Sequence, residues 1–77
     1  MKLRVLWHPA ALNQFYDLGW HAAESVDAAV IRVAEAGRGD VEWVAPCYRL
    51  RVGMHRVRFT VDRDAGTMNV LFLYRTR

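Results

Sequence analysis

With 77 residues, 53% of them hydrophobic, the chain can build one small domain, residues 1–77, around a single modest core. Cys47 is the only cysteine, which excludes an internal disulfide and a cysteine-rich metal site. No N-terminal run resembles a signal peptide or a membrane span, so we expect a cytoplasmic protein. No metal or cofactor is expected either, since no metal-ligand spacing or phosphate-binding glycine loop is found. The net charge of +3 is uneven: residues 1–47 carry four basic and six acidic groups, whereas residues 48–77 carry seven arginines and two aspartates.

The first half of the sequence predicts a strand and two helices. "KLRVLWH" alternates apolar and polar residues, which indicates a strand with one face on the core. Pro9 ends that strand and suits the first turn of a helix, so the apolar spacing behind it predicts a helix from residue 9 to about 21. Ser25 is the expected N-cap of a second helix, which Gly37 ends. The two helices should form a hairpin, followed by the loop "GRGDVEWVAP", in which "VEWV" can add a short extended piece.

After Pro46 the apolar residues recur with a period of two, which predicts three strands. The first contains "YRLRV" and the second covers residues 55–62, and Gly53 can open a two-residue turn of type II′ between them. A loop at "RDAG" leads into the last strand, "TMNVLFLYR". The predicted fold is α+β with the order β-α-α-β-β-β, in which the helical hairpin packs on one face of a small, mainly antiparallel sheet.

The two-residue turn brings four arginines together. Antiparallel pairing across it sets Arg51 opposite Arg56 and Arg49 opposite Arg58. Like charges in such positions destabilise a sheet by about 0.2 to 1 kcal/mol per pair, and no acid is expected beside them. The face is either a solvated surface or a site for an anion, and we interpret it as an anion site because a polyanion would relieve the repulsion. Guanidinium groups grip phosphates in two-point geometry, which makes nucleic acid the candidate ligand.

The last hairpin is expected to pair without interruption. Closed at "RDAG", it pairs Val57 with Phe72 and Phe59 with Val70, so that Tyr74 faces the core. The residues then expected on the arginine side are Leu71, Leu73, Arg75 and Arg77.

The β-α-α-β-β-β order together with "CYRLRVGMHRVRFTVDRDAGTMNVLFLYRTR" resembles the RelE/ParE superfamily of bacterial toxins. The distinctive part is "LRVG" with an arginine three residues after the glycine. The resemblance extends over essentially the whole chain. It implies the toxin of a toxin–antitoxin pair, neutralised by an antitoxin that wraps around it. In the RelE branch it implies cleavage of mRNA on the ribosome without a metal, by attack of the 2′-hydroxyl on the adjacent phosphate.

The resemblance also assigns roles to individual residues. Arg49 and Arg51 correspond to basic residues before the turn, and Arg56 corresponds to the arginine after it. Arg75 or Arg77 corresponds to the basic residue at the end of the last strand, and Arg75 is preferred because the strand is expected to reach it. Arg58 is expected to support these arginines in holding mRNA phosphates and stabilising the transition state.

The acid–base group is the missing part of this assignment. Arginine stays protonated, so it can stabilise a phosphorane but cannot serve as a general base. Members of the RelE branch commonly carry a catalytic tyrosine, or a histidine with a carboxylate, near the chain end, and this sequence ends at Arg77 without that segment. His55 is therefore the candidate catalytic acid or base, although its parity points it toward the core.

Three functions stay open at this point. The first is a RelE-like mRNA interferase, whose partners are mRNA, the ribosome and an antitoxin that Trp43 is a candidate to contact. The second is a ParE-like toxin that binds DNA gyrase, which fits the absence of an evident general base. The third is a non-toxic homologue that only binds its antitoxin. An acid–base residue beside the arginines would favour the enzyme.

Overall fold

The computed structural model describes residues 2–76. Its elements, in chain order, are β1 (Arg4–Trp7), α1 (Pro9–Tyr16), α2 (Trp20–Ala36), β2 (Val41–Val44), β3 (Cys47–Val52), β4 (His55–Asp62) and β5 (Thr67–Arg75). The strands form one sheet in the order β1-β5-β4-β3-β2, in which β1 is parallel to β5 and every other pair is antiparallel. The predicted α+β architecture is confirmed, and the sheet gains one strand, β2.

The helices begin and end at other residues than the sequence pattern suggested. Pro9 does begin α1, but this helix ends at Tyr16 and not near residue 21. Gly19 is the N-cap of α2, with an extended backbone at φ −63° and ψ 156°. Glycine is a poor helix former, which explains why the break falls there. The predicted cap at Ser25 is wrong, because Ser25 lies inside α2, whereas Gly37 caps the end of α2 in the left-handed conformation as expected.

The "VEWV" segment is a full edge strand. β2 pairs with β3 along its whole length, from Val41 opposite Leu50 to Val44 opposite Cys47. Gly39 leads into it at a point of close approach, since a Cβ atom there would lie 2.8 Å from a methyl group of Val33 and 3.1 Å from one of Leu50. The chain can therefore pass from α2 to the sheet edge over the core without displacing core side chains.

The core lies between the two helices and one face of the sheet. Phe59 on β4 is its largest fully buried side chain. On β1, Val5 and Trp7 pack against this core, and the Trp7 ring lies 5.0 Å from that of Phe15 on α1. The buried hydrophobic residues of the core are Ala11, Val26, Val30, Val33, Ala34, Leu50, Val57, Phe59, Met68, Val70 and Leu73.

A bulge interrupts the pairing of β4 with β5. Phe59 lies opposite Val70, as predicted, but Arg58 lies opposite Phe72, so Leu71 is an extra residue on β5. The predicted pairing of Val57 with Phe72 is therefore wrong. Because side chains alternate along a strand, one extra residue exchanges the two faces of everything that follows it. Leu73 is accordingly buried, at 3% exposure, whereas Phe72 is 39% exposed.

The end of β5 is held from the helical side. β1 ends opposite Val70, so the later part of β5 has no strand on that edge. The side chain of Gln14 on α1 takes the place of a strand there, because its Oε1 accepts a 2.8 Å hydrogen bond from the backbone N–H of Leu73. This bond anchors the part of β5 that follows the bulge.

The bulge can be tested by its effect on stability. We expect Leu73→Ala to lower the free energy of unfolding by about 2 to 5 kcal/mol, because a buried side chain is lost and a cavity is left. The larger truncation Phe72→Ala should cost less, since that ring is partly exposed. Urea unfolding measures the loss of unfolding free energy in each variant. A larger loss for Phe72→Ala than for Leu73→Ala would favour the register without a bulge.

Candidate nucleic-acid interface

The hairpin of β3 and β4 places four arginines side by side on the sheet surface that faces away from the helices. Arg51 lies opposite Arg56, and Arg49 lies opposite Arg58, as predicted. Gly53 is the first central residue of the turn and has a positive φ of 57°, as a type II′ turn requires at that position. We call the surface formed by Arg49, Arg51, Arg56 and Arg58 the arginine face.

Two acids lie beside the arginine face, contrary to expectation. Glu42 of β2 is opposite Arg49 in the register and forms an ion pair with it. Arg51 Nε lies 3.6 Å from a carboxylate oxygen of Asp40. The expectation failed because the extended piece at "VEWV" was not expected to pair with the sheet, and only this pairing brings Glu42 to this face. Both pairs are exposed to solvent, so each adds little stability and can be exchanged for another anion.

The pairing with Arg49 fixes the charge state of Glu42. The hydrogen bond from Arg49, followed by its positive charge, lowers the pKa of the Glu42 carboxyl group. The same bond raises the pKa of Arg49. Glu42 is therefore an ionised carboxylate at neutral pH and a weak base, which makes it a poor candidate for proton abstraction.

Arg58 is the most firmly held of the four. Its Nη2 donates a 2.8 Å hydrogen bond to the carbonyl oxygen of Val44, and its Nε lies 3.2 Å from the sulfur of Cys47. The contact with Cys47 is the main cause of a raised pKa for Arg58. Cys47 is buried beneath this guanidinium. Arg58 is thus a fixed positive charge with a set orientation, and Cys47 supports it.

Arg56 is held by backbone carbonyl groups of the turn and its first neighbour on β4. Its Nη1 donates hydrogen bonds of 2.9 Å to the carbonyl oxygens of Gly53 and His55. Within residues 2–76 no carboxylate forms an ion pair with it. The turn therefore orients the guanidinium and leaves its charge available to a ligand.

Tyr74 joins the arginine face, where the sequence pattern had put it in the core. The bulge turns it outward, opposite Arg56. After Glu42 for Arg49 and Cys47 for Arg58, the Tyr74 side chain is a lesser contributor to the raised pKa of both arginines. A phenolic hydroxyl can donate and accept a hydrogen bond, which a guanidinium cannot. No local feature of the sequence marks the bulge, so nothing in the strand pattern could have placed Tyr74 here.

Arg75 and His55 lie away from the arginine face. The two are opposite each other in the register, on the helical side of the sheet, where they line a hollow with Ala22 of α2. Arg75 Nη2 contacts the sulfur of Met54 at 3.7 Å. The prediction that Arg75 shares a face with the other arginines is wrong, because the bulge exchanges the faces. His55 keeps the direction that its parity indicated and does not turn toward the arginines.

Arg77, the other arginine predicted at the end of the last strand, lies outside the described residues. Residues 2–76 contain no group of three or more histidine, cysteine or acidic side chains that could hold a metal ion. Among the same residues, neither helix is long and apolar enough to cross a membrane.

The ion pair of Glu42 predicts a pH dependence of stability. A carboxyl group whose pKa is lowered by folding stabilises the protein above its unfolded value, and this contribution is lost as the pH falls through the folded value. We expect Glu42→Gln to lower the free energy of unfolding at pH 7 and to lose less stability than the unaltered chain below about pH 4.5, the ordinary value for this group. Urea unfolding at several pH values measures this. Glu35→Gln on α2 is the control, and equal acid sensitivity of the Glu42→Gln variant and the unaltered chain would contradict the assignment.

Comparison with known proteins finds likeness in structure and none in sequence. No protein-family profile matches the chain. No curated protein matches it either. Among solved structures, isolated E. coli RelE toxin superposes with a TM-score of 0.82 at 16% identity, over 97% of this chain and 85% of the toxin.

Toxins solved with their antitoxins are similar as well. The RelE–RelB complex of Pyrococcus horikoshii matches with a TM-score of 0.80 at 20% identity, over 97% of this chain and 96% of the matched chain. The RelBE2 complex of Mycobacterium tuberculosis matches with a TM-score of 0.65 at 17% identity, over 97% and 99%. At these identities the likeness is one of architecture, and the chain has the fold of the RelE toxins.

Proposed function

We propose that this protein is the toxin of a toxin–antitoxin pair and that it cleaves mRNA on the ribosome. The observation that carries the proposal is the arginine face, on which four arginines from one hairpin share the outer side of the sheet. Similar architecture in RelE toxins supports it. In this proposal the protein acts in the cytoplasm, where mRNA and ribosomes are found.

The arrangement of the arginine face suits a chain of phosphates. Arginines two residues apart on a strand are separated by about 6.8 Å, and those on neighbouring strands by about 5 Å. The four therefore form a compact array that can contact more than one phosphate. A phosphate that replaces Glu42 on Arg49, or Asp40 on Arg51, exchanges one exposed anion for another. Arg56 needs no such exchange.

The proposed reaction uses the RNA as its own nucleophile. The 2′-hydroxyl oxygen attacks the adjacent phosphorus, the bond from phosphorus to the 5′ oxygen breaks, and the products are a 2′,3′-cyclic phosphate and a 5′-hydroxyl end. The proton lost by the 2′-hydroxyl balances the proton gained by the leaving oxygen. Arg56 and Arg58 would stabilise the negative charge that develops on the phosphorane.

Proton transfer is assigned to Tyr74 in this proposal. The arginines cannot accept a proton, and Glu42 is a weak base because its pKa is lowered. His55 lies on the helical side of the sheet. Tyr74 is left as the side chain on this face whose hydroxyl can pass a proton between the 2′-hydroxyl and the leaving oxygen.

We also propose an antitoxin partner that covers the helical side of β2. Trp43 lies on this edge strand, is 60% exposed and packs its ring 5.0 Å from that of Tyr48. Beside them a hollow of about 320 Å³ is lined by apolar side chains, among them Val33 and Val61, and by Arg63. An amphipathic segment with acidic residues would fill the hollow and pair with the arginine. The RelE–RelB complexes among the similar structures support a partner of this kind.

The antitoxin proposal predicts a specific effect of Trp43. Exposed tryptophans at interfaces often carry more than 1 kcal/mol of binding energy, so we expect Trp43→Ala to weaken the complex with the product of the adjacent gene by about tenfold. Tyr16 on α1 is 72% exposed, and Tyr16→Ala should bind as the unaltered chain does. Co-purification followed by calorimetry measures both. A chain that stays monomeric beside its co-expressed neighbour would contradict the proposal.

The enzymatic proposal is tested in a translation reaction with the purified chain, read by primer extension on the mRNA. We expect ribosome-dependent cuts, and we expect Arg56→Ala to reduce their rate by about 100-fold, as loss of a transition-state donor does. Arg32→Ala is the control: it removes an arginine on α2, away from the arginine face, and should cut mRNA at the normal rate.

A parallel gyrase supercoiling assay separates the alternatives. Intact mRNA with blocked supercoiling would assign the chain to gyrase inhibition, as in ParE-like toxins. Intact mRNA and normal supercoiling, with retained antitoxin binding, would indicate a non-toxic homologue. If the Arg56→Ala variant folds normally and cuts mRNA at the normal rate, Arg56 has no role in the proposed site.

A further inference from the structure

An aromatic pair lies on the same surface as the arginines. Phe72 is 39% exposed, and its ring centroid is 6.0 Å from that of Tyr74, with the two planes inclined by 30°. The guanidinium carbon of Arg58 lies 6.0 Å from the Phe72 centroid. Because of the bulge, Leu73 occupies the core position and the Phe72 side chain lies outside the core.

We infer that Phe72 and Tyr74 form a stacking platform for a nucleobase of single-stranded RNA. This inference rests on the proposed function and adds a base-binding subsite to the phosphate-binding arginines. Every nucleobase has a flat π surface, so an exposed ring can bind any of them by stacking, independently of sequence. The nearby guanidinium of Arg58 can stack in the same way and adds a cation–π contribution.

The strand register places the two kinds of contact side by side. Arg58 of β4 is opposite Phe72 of β5, and Arg56 is opposite Tyr74. Neighbouring strands are about 4.8 Å apart, so an RNA strand whose phosphates lie over β3 and β4 has its bases over β5. Such a path requires unpaired bases, because stacking on the platform removes a base from its pairing partner. The platform therefore favours single-stranded RNA over a duplex.

The ligand contacts can be separated by comparing two probes. One is a short single-stranded RNA whose 2′-hydroxyls are methylated, so that it cannot be cleaved, and the other is inorganic polyphosphate, which has the charge but no bases. We expect Phe72→Ala to weaken RNA binding about tenfold and to leave polyphosphate binding unchanged. Phe72→Tyr keeps a ring and should bind RNA as the unaltered chain does.

Leu6→Ala is the matched control. Leu6 is 44% exposed and lies on the same side of the sheet, on β1, but it has no aromatic ring. It should bind both probes normally. Circular dichroism melting confirms that each variant is folded, so a loss of affinity is assigned to the ring.

Two results would overturn the inference while leaving the proposed function in place. One is an unchanged RNA affinity of Phe72→Ala with normal ribosome-dependent cutting. The other is an equal loss of affinity for RNA and polyphosphate, which would mean that Phe72 serves only to hold Arg58. An unaltered chain that neither binds the RNA nor cuts mRNA in translation would overturn both the platform and the function on which it rests.

Discussion

The pairing of β4 with β5 determines which side chains meet on the outer face of the sheet. Leu71 is an extra residue in that pairing, and everything after it changes sides. Leu73 enters the core, where α1 also fixes its backbone through Gln14. Burial of Leu73 and exposure of the aromatic pair are therefore a single structural event, since neither can change without the other. The chemistry available to the arginines follows from a packing requirement on the opposite side of the strand.

Electrostatics sets a second constraint. Arg49 lies opposite Arg58 and Arg51 opposite Arg56, an arrangement in which like charges repel. Glu42 on the edge strand, Asp40 just before it, and the fixed contacts of Arg58 reduce this repulsion. The acidic partners of Arg49 and Arg51 are exposed and weakly bound, whereas Arg58 is held by a backbone carbonyl and by Cys47. The face thus combines rigid charges with exchangeable ones. This combination suits a ligand that arrives with its own phosphates, because the folded chain stays stable in its absence.

Arginines and aromatics have complementary roles in the proposed site. Guanidiniums recognise the backbone of any nucleic acid, and flat rings recognise the unpaired base. Both kinds of contact are independent of sequence, so the proposed site would bind single-stranded RNA without a choice among codons. A choice of cleavage position would have to come from the ribosome that presents the mRNA. Tyr74 belongs to both parts, because its ring borders Phe72 and the residue lies opposite Arg56 in the sheet.

The sequence by itself determined the core periodicity, the start of α1 at Pro9, the end of α2 at Gly37, and the register of the β3–β4 hairpin. These features are local: a glycine-opened turn and a strict alternation leave only one pairing of neighbouring strands. Only the tertiary structure decided that β2 is a strand and that β5 is bulged, since a four-residue edge strand has too little pattern of its own and a bulge is chosen by packing against the helices. For that reason Glu42 was not expected beside Arg49, and Tyr74 and Arg75 were predicted on the wrong faces. Their faces depend on contacts between segments distant in the chain, which no short-range pattern contains.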